Sequence, residues 1–148
     1  IIFRLLEAGK VLQTMTLTVQ KEVAERIVAQ PGKKDYGVLS IMVGLSAEAR
    51  MRFIIPKEEF RPVPKVDSAV IHLVLREKPP VLLADEKMFS RVVRTAFAQR
   101  RKTLSNSLRP LAANMKEILT GAGIDPSRRP ETLSMVEFAR ISNALAEG

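Results

Sequence analysis

The feature that most constrains this chain is a change of hydrophobic period at Glu77-Lys78-Pro79-Pro80. Before that point, segments that alternate residue by residue are interleaved with segments of helical spacing. Thr14 to Gln20 places Met15, Leu17 and Val19 on one face and Thr14, Thr16 and Thr18 on the other, the pattern of a strand. Ala49 to Ile55 alternates through Met51 and Phe53 and closes at Pro56. Val66 to Arg76 reads as a long strand with Ala69, Ile71, Leu73 and Leu75 on one face and Val70, His72 and Val74 on the other. Two apolar faces predict a strand covered on both sides. Lys21 to Gln30 carries Val23, Ala24, Ile27 and Val28 on one helical stripe and stops at Pro31-Gly32. Tyr36 to Leu45 is a second helical stretch.

Beyond Pro80 only helical spacing remains. Phe89, Val92, Val93, Ala96 and Phe97 form one stripe. A short helix follows through Leu104 and Leu108, and another through Met115, Ile118 and Leu119. The last helix opens at Ser134-Met135-Val136-Glu137, which fits a capping box. The expected organisation is therefore an α/β piece over residues 1–80 and an all-α domain over 81–148. Three strands are about half of an ordinary sheet, so the first piece reads as incomplete. Ile1 to Gly9 looks like the tail of a helix ending on a cap glycine, with no capping residue before Ile1. The chain is expected to start inside a helix of a longer protein.

Charge narrows the partner. Lys and Arg number 24 against 16 Asp and Glu, a net charge of +8, which favours a polyanion. With no cysteine, disulfides, zinc–thiolate sites and a cysteine nucleophile are excluded. No apolar run reaches the ~20 residues that span a bilayer. The sole histidine, His72, lies mid-strand between Ile71 and Leu73 and reads as a core or edge residue rather than a base. No metal-ligand cluster is visible, and Glu22 with Arg26 reads as a helix-surface pair.

Two segments stand out as sites. On the helical stretch from Asp85 to Arg101, Lys87, Arg91, Arg94 and Arg101 recur at spacings of four, three and seven, opposite the apolar stripe. Gln99, Arg100, Lys102 and Arg109 extend that surface. A solvated basic face would have the same spacing, but acids are nearly absent after Glu86, and the density of cations suits phosphates. The second segment is Phe60-Arg61-Pro62-Val63-Pro64-Lys65-Val66-Asp67-Ser68-Ala69, where two prolines stiffen a loop ahead of a strand. Such a loop can hold the Phe60 ring for stacking on an extruded base, with Lys65 beside it; a phenylalanine anchoring the core is the plainer alternative.

These segments resemble the ribosomal RNA adenine dimethyltransferases. Val19 to Arg26, Lys34 to Ser40, Phe60 to Ala69, Phe97 to Leu104 with Asn106, and Gly123 to Glu131 follow the family's order over nearly the whole chain. The resemblance implies the C-terminal part of a class I, Rossmann-like methyltransferase sheet over 1–80 and a small helical RNA-binding domain over 81–148. It implies S-adenosylmethionine-dependent dimethylation at N6 of two adjacent adenines of small-subunit ribosomal RNA. The partner would be the pre-30S particle in the cytoplasm, with no membrane and no metal. Phe60 matches the aromatic that packs on the target adenine, and the RNA-facing residues are Lys65, Arg91, Arg94, Gln99, Arg100, Arg101, Lys102, Asn106 and Arg109.

The family's glycine-rich cofactor loop, its ribose-binding acid and its Asn-Leu-Pro-Tyr motif do not occur in this chain. The resemblance therefore implies that the cofactor is bound by a preceding part, that the isolated chain is inactive, and that strand 14–20 has an exposed edge prone to self-association. Three alternatives remain: a non-catalytic RNA-binding or ribosome-assembly module, the related methyltransferases of large-subunit RNA, and a helix-turn-helix factor over 111–145. The last lacks base-reading polar side chains.

Overall fold

The computed structural model describes residues 1–9 and 11–148. By internal contacts the chain divides into two compact units, Ile1–Gln30 with Leu39–Pro80, and Pro31–Val38 with Val81–Gly148.

The first unit holds three helices, α1 (Ile2–Leu6), α2 (Lys21–Val28) and α3 (Val38–Ser46), and three strands, β1 (Thr14–Gln20), β2 (Ala47–Ile55) and β3 (Ser68–Leu75). The sheet order is β1-β3-β2, with both pairings antiparallel. Thr16 faces His72 in one ladder and Arg50 faces it in the other. A bulge between Met51 and Phe53 shifts the β2 register, so Phe53 pairs with Val70.

Leu6, Met15, Ala24, Ile27, Val43, Ala47, Ala69, Ile71 and Leu73 form one buried cluster. The strand members of that cluster share a single face of the sheet, because paired residues point the same way. The expectation of two covered faces on β3 is corrected. On the opposite face Val70 is buried, but His72 is only half-buried and Val74 is 46% exposed. Among the described residues the apolar stripes of α1 and α2 supply cover to one face only. His72 satisfies its ring at the surface, with Nδ1 2.9 Å from Thr16 Oγ1. Gly9 is also corrected as a helix cap. α1 ends at Leu6 with Glu7 in the right-handed region, and the glycines with positive φ are Gly32 and Gly123.

The helical unit comprises α4 (Glu86–Ala98), α5 (Leu104–Ser107), α6 (Met115–Gly121) and α7 (Met135–Glu147). Its core is the fully buried set that includes Phe89, Leu104, Leu108, Met115, Leu119, Leu133, Phe138 and Ile141. Asp85 caps α4 by accepting from the Lys87 amide at 2.8 Å, and Ser134 with Glu137 forms the expected capping box on α7. Asn143 on α7 holds the approach to α4, donating to the Leu82 carbonyl and accepting from the Ala84 amide, each at 2.9 Å.

The segment Pro31–Val38 lies within this unit, a placement that a boundary at Pro80 alone does not give. Tyr36 is 3% exposed and donates its hydroxyl to the Leu133 carbonyl at 2.7 Å. Its ring meets Phe97 edge-on at 6.2 Å, and the Gly32 amide donates to the Glu131 carbonyl at 2.7 Å.

Candidate nucleic-acid interface

The loop that carries Phe60 is closed on itself. A single 3-10 turn, Lys57–Glu59, follows Pro56, and the Phe60 amide donates to the Lys57 carbonyl at 3.2 Å. Asp67, ten residues further on, accepts from the Lys57 amide through Oδ1 at 2.9 Å, while its carbonyl accepts from the Lys21 amide at 3.0 Å. Both ends of the loop are thereby joined to the N-terminus of α2 and the start of β3. The Arg61 guanidinium folds back onto the Glu58 and Phe60 carbonyls at 2.8 and 3.0 Å. Phe60 is half-buried, neither sealed in the core nor fully exposed. Lys65 is exposed on the same loop.

In the helical unit the basic residues fall into two sets. Arg91 and Arg94 are exposed along α4, and Arg94 Nε donates to Ser90 Oγ at 3.3 Å. The helix ends at Ala98, so Arg101 is not on its face as the spacing predicts. Gln99 leaves the helical region at φ −128°, and its carbonyl accepts from the Lys102 amide at 2.9 Å, turning the chain sharply. That turn gathers the second set. Gln99, Lys102, Asn106 and Arg109 line one shallow hollow with Pro110. Arg100 and Arg101 line a neighbouring one with Phe97 and Ala98.

The turn is fixed from beneath. The Leu104 amide donates to the Arg128 carbonyl at 2.8 Å, and the Ser105 amide donates to the Pro126 carbonyl at 3.1 Å. Asp125 orders the loop that supplies these carbonyls, accepting from the Ser127 amide and hydroxyl at 2.9 and 2.7 Å. Those bonds hold its carboxyl below the usual range. Arg128 grips Glu137 with two nitrogens, at 2.5 and 3.2 Å, and donates to the Thr132 carbonyl at 2.7 Å. The guanidinium, together with the Ser134 cap, lowers the Glu137 carboxyl.

In the sequence Tyr36 reads only as the first residue of a helical stretch and Asp67 only as a member of the proline-loop segment, neither with a role of its own. Tyr36 is the chain's only tyrosine, and Asp67 ends the proline loop; in each the signal was present without a partner to read it against. Among the described residues no His/Cys/Asp/Glu group could hold a metal ion, and no helix is long and apolar enough to cross a membrane.

The family model for ribosomal RNA adenine dimethylase matches residues 1–147. The chain belongs to that family. It is 49% identical over 153 aligned positions to ribosomal RNA small subunit methyltransferase A of Geobacillus kaustophilus, covering 99% of this chain and 52% of that protein. The same enzyme name from Caldanaerobacter subterraneus matches at 49% over 98% of this chain and 55% of that protein. The chain thus spans about half the length of the curated relatives it matches. A crystal structure of a dimethyladenosine transferase from Plasmodium falciparum has a TM-score of 0.76 at 24% identity, covering 95% of this chain and 59% of that one. The 23S rRNA methyltransferase ErmE has a TM-score of 0.64 at 23% identity, covering 98% of this chain and 59% of that one. These likenesses establish the fold as the C-terminal part of a Rossmann-like methyltransferase followed by helices.

The junction between β1 and α2 does not fit the nucleotide end of an adenosyl cofactor. A nucleotide end is cradled by a glycine-bearing turn between a strand and the helix after it. The strand-to-helix junction here, β1 to α2, runs Val19-Gln20-Lys21 without a glycine, and the Lys21 amide at its start is already bonded to the Asp67 carbonyl.

Proposed function

We propose that this chain is the RNA-facing part of an S-adenosylmethionine-dependent enzyme that dimethylates N6 of two adjacent adenines in small-subunit ribosomal RNA. In this reading the substrate is the pre-30S particle in the cytoplasm, and the cofactor is bound by residues outside these 148. The observation that carries it is 49% identity to small-subunit methyltransferases across the length of the chain; the closed loop that leaves Phe60 half-buried is compatible with it.

Each residue has a task that its position supports. Phe60 stacks on the extruded adenine, and a rigid loop lowers the entropy lost when the base docks. Lys65, Arg91 and Arg94 neutralise phosphates along the flanking backbone. Gln99, Lys102, Asn106 and Arg109 mix amide and cationic donors in one hollow, which suits a phosphate with its neighbouring ribose hydroxyl. Arg100 and Arg101 extend that grip.

The test is methyl transfer into small subunits that lack the modification. The full protein should label adjacent adenines, and Phe60→Ala should lose most of that labelling while still binding RNA. The isolated 148 residues should neither label RNA nor show S-adenosylmethionine binding by calorimetry. Tight cofactor binding by the isolated chain would overturn the inactive-fragment part of the reading.

A second reading, RNA binding without methyl transfer, draws on the hollow at Gln99 to Arg109, which needs no cofactor. It predicts that Arg100→Ala/Arg101→Ala weakens binding and that Phe60→Ala changes nothing. Labelling of large-subunit RNA alone would instead favour the related enzymes of that subunit.

A further inference from the structure

We infer that Lys33 and Lys34, on the connection between α2 and α3, form part of the phosphate-binding surface of the helical unit. The inference rests on the reading that this unit grips ribosomal RNA. It adds a segment that lies more than sixty residues earlier in the sequence than the basic turn it joins.

By sequence these lysines sit between two helices of the sheet unit, yet their segment clusters with the helical unit. The segment is held along its length. The Gly32 amide donates to Glu131 at 2.7 Å, and Gly32 takes a positive φ of 85° that a side chain would resist. The buried Tyr36 hydroxyl donates to the Leu133 carbonyl at 2.7 Å, and its ring meets Phe97. Between these anchors, Arg100 Nη2 donates to the Lys33 carbonyl at 3.3 Å. That bond sets the Lys33 backbone against the turn that carries Arg100, Arg101 and Lys102.

The consequence is electrostatic. Five cationic side chains are brought into one neighbourhood on a fixed backbone. Lys33 and Lys34 are exposed, and among the described residues neither forms an ion pair. Asp35 is the only acid between Pro31 and Val38. Like charges held together repel unless a polyanion lies across them, and a pre-ordered segment loses little entropy when one does. Arg100 spends one guanidinium nitrogen on the Lys33 carbonyl, and its other nitrogens remain available to phosphate. An RNA backbone is the polyanion this surface suits, because its exposed groups are cations and the chain belongs to a family of ribosomal RNA adenine dimethylases.

The experiment measures the binding of the full protein to a 3′-terminal fragment of small-subunit ribosomal RNA over a range of salt. Each phosphate contact contributes roughly 0.7–0.9 to the slope of log affinity against log salt. Lys33→Ala/Lys34→Ala should therefore reduce the slope by about 1.4–1.8, and Lys33→Arg/Lys34→Arg should restore it. Lys78→Ala/Lys116→Ala removes the same charge elsewhere and should leave the slope unchanged. An equal fall in that control would overturn the inference, because net charge alone would explain it. If Arg101→Ala/Lys102→Ala lowers the slope and the Lys33/Lys34 pair does not, the inference fails and the RNA-binding reading stands. If neither pair lowers it, that reading fails as well. Thermal unfolding of each variant confirms that the exposed substitutions leave the fold intact.

Discussion

Tyr36 and Leu133, 97 residues apart in sequence, are joined by a hydrogen bond of 2.7 Å from the tyrosine hydroxyl to the leucine carbonyl. The bond is buried, so Tyr36→Phe leaves a main-chain acceptor without a partner and should destabilise the helical unit by about 1–3 kcal/mol. Burial, with the charge of Glu137 nearby, holds the Tyr36 phenol far above its ordinary value. A raised folded value favours the neutral form. The stabilisation is therefore complete below the ordinary tyrosine pKa of about 10 and declines as pH rises beyond it. Chemical denaturation should show wild type losing stability more steeply than Tyr36→Phe above that pH.

Glu137 gives the opposite sign. The Arg128 guanidinium and the Ser134 cap lower its carboxyl in the fold, so its contribution is present above the ordinary carboxylate value and disappears as pH falls through the folded one. The pair is partly buried, with side-chain exposures of 31% and 21%. Glu137→Gln should cost about 1–2 kcal/mol near neutrality after allowance for solvent screening. The gap from wild type should close in acid. Urea midpoints measured at neutral and acidic pH check this, and a gap that does not change with pH would contradict it.

What the sequence made legible was whatever depends on local period. β1 matches its expected span residue for residue, and α2, α4 and the Ser134 capping box lie where spacing and cap chemistry place them. What it concealed depends on distant partners. The exposed face of β3 at Val74 carries an apolar residue, so alternation alone could not distinguish a covered face from an open one. Arg101 continues the spacing of α4 beyond the point where Gln99 breaks the helix. Tyr36 reads as the first residue of a helical stretch, but the helix starts at Val38 and Tyr36 belongs instead to a segment anchored on Leu133; Lys33 looks like an ordinary loop residue until Arg100 is seen against it. Within the candidate interface, Gln99, Lys102, Asn106 and Arg109 were nameable from sequence, but the hollow they share was not.

The proposed role of Phe60 separates from its packing. Stacking on a base is worth ~1–3 kcal/mol, so Phe60→Ala in the full protein should reduce methyl transfer by about 5- to 150-fold. Phe60→Tyr retains the ring and should retain most of the activity. Asp67→Ala removes the carboxylate that closes the loop on the Lys57 amide and should lower transfer without touching the ring. Its cost in stability should be about 1 kcal/mol, the ordinary worth of such a bond. Equal activity of Phe60→Ala and wild type would count against the stacking role.

β1 lies at one margin of the sheet. Among the described residues it is hydrogen-bonded on one side only, to β3, which leaves a seven-residue edge. Its outward alternation is Thr14, Thr16 and Thr18, with no lysine, proline or bulge of the kind that protects free edges. β2, at the other margin of the sheet, differs: Glu48, Arg50 and Arg52 recur along it, and a bulge breaks its register. Association of the isolated 148 residues should therefore proceed through β1. Light scattering after size exclusion should show mass rising with concentration, and Thr18→Lys should suppress that rise whereas a charge added on the exposed part of β2, Phe53→Lys, should not. Hydrogen exchange should show the β1 amides gaining protection as the protein associates. A monomer at all concentrations with a freely exchanging β1 would sink this prediction.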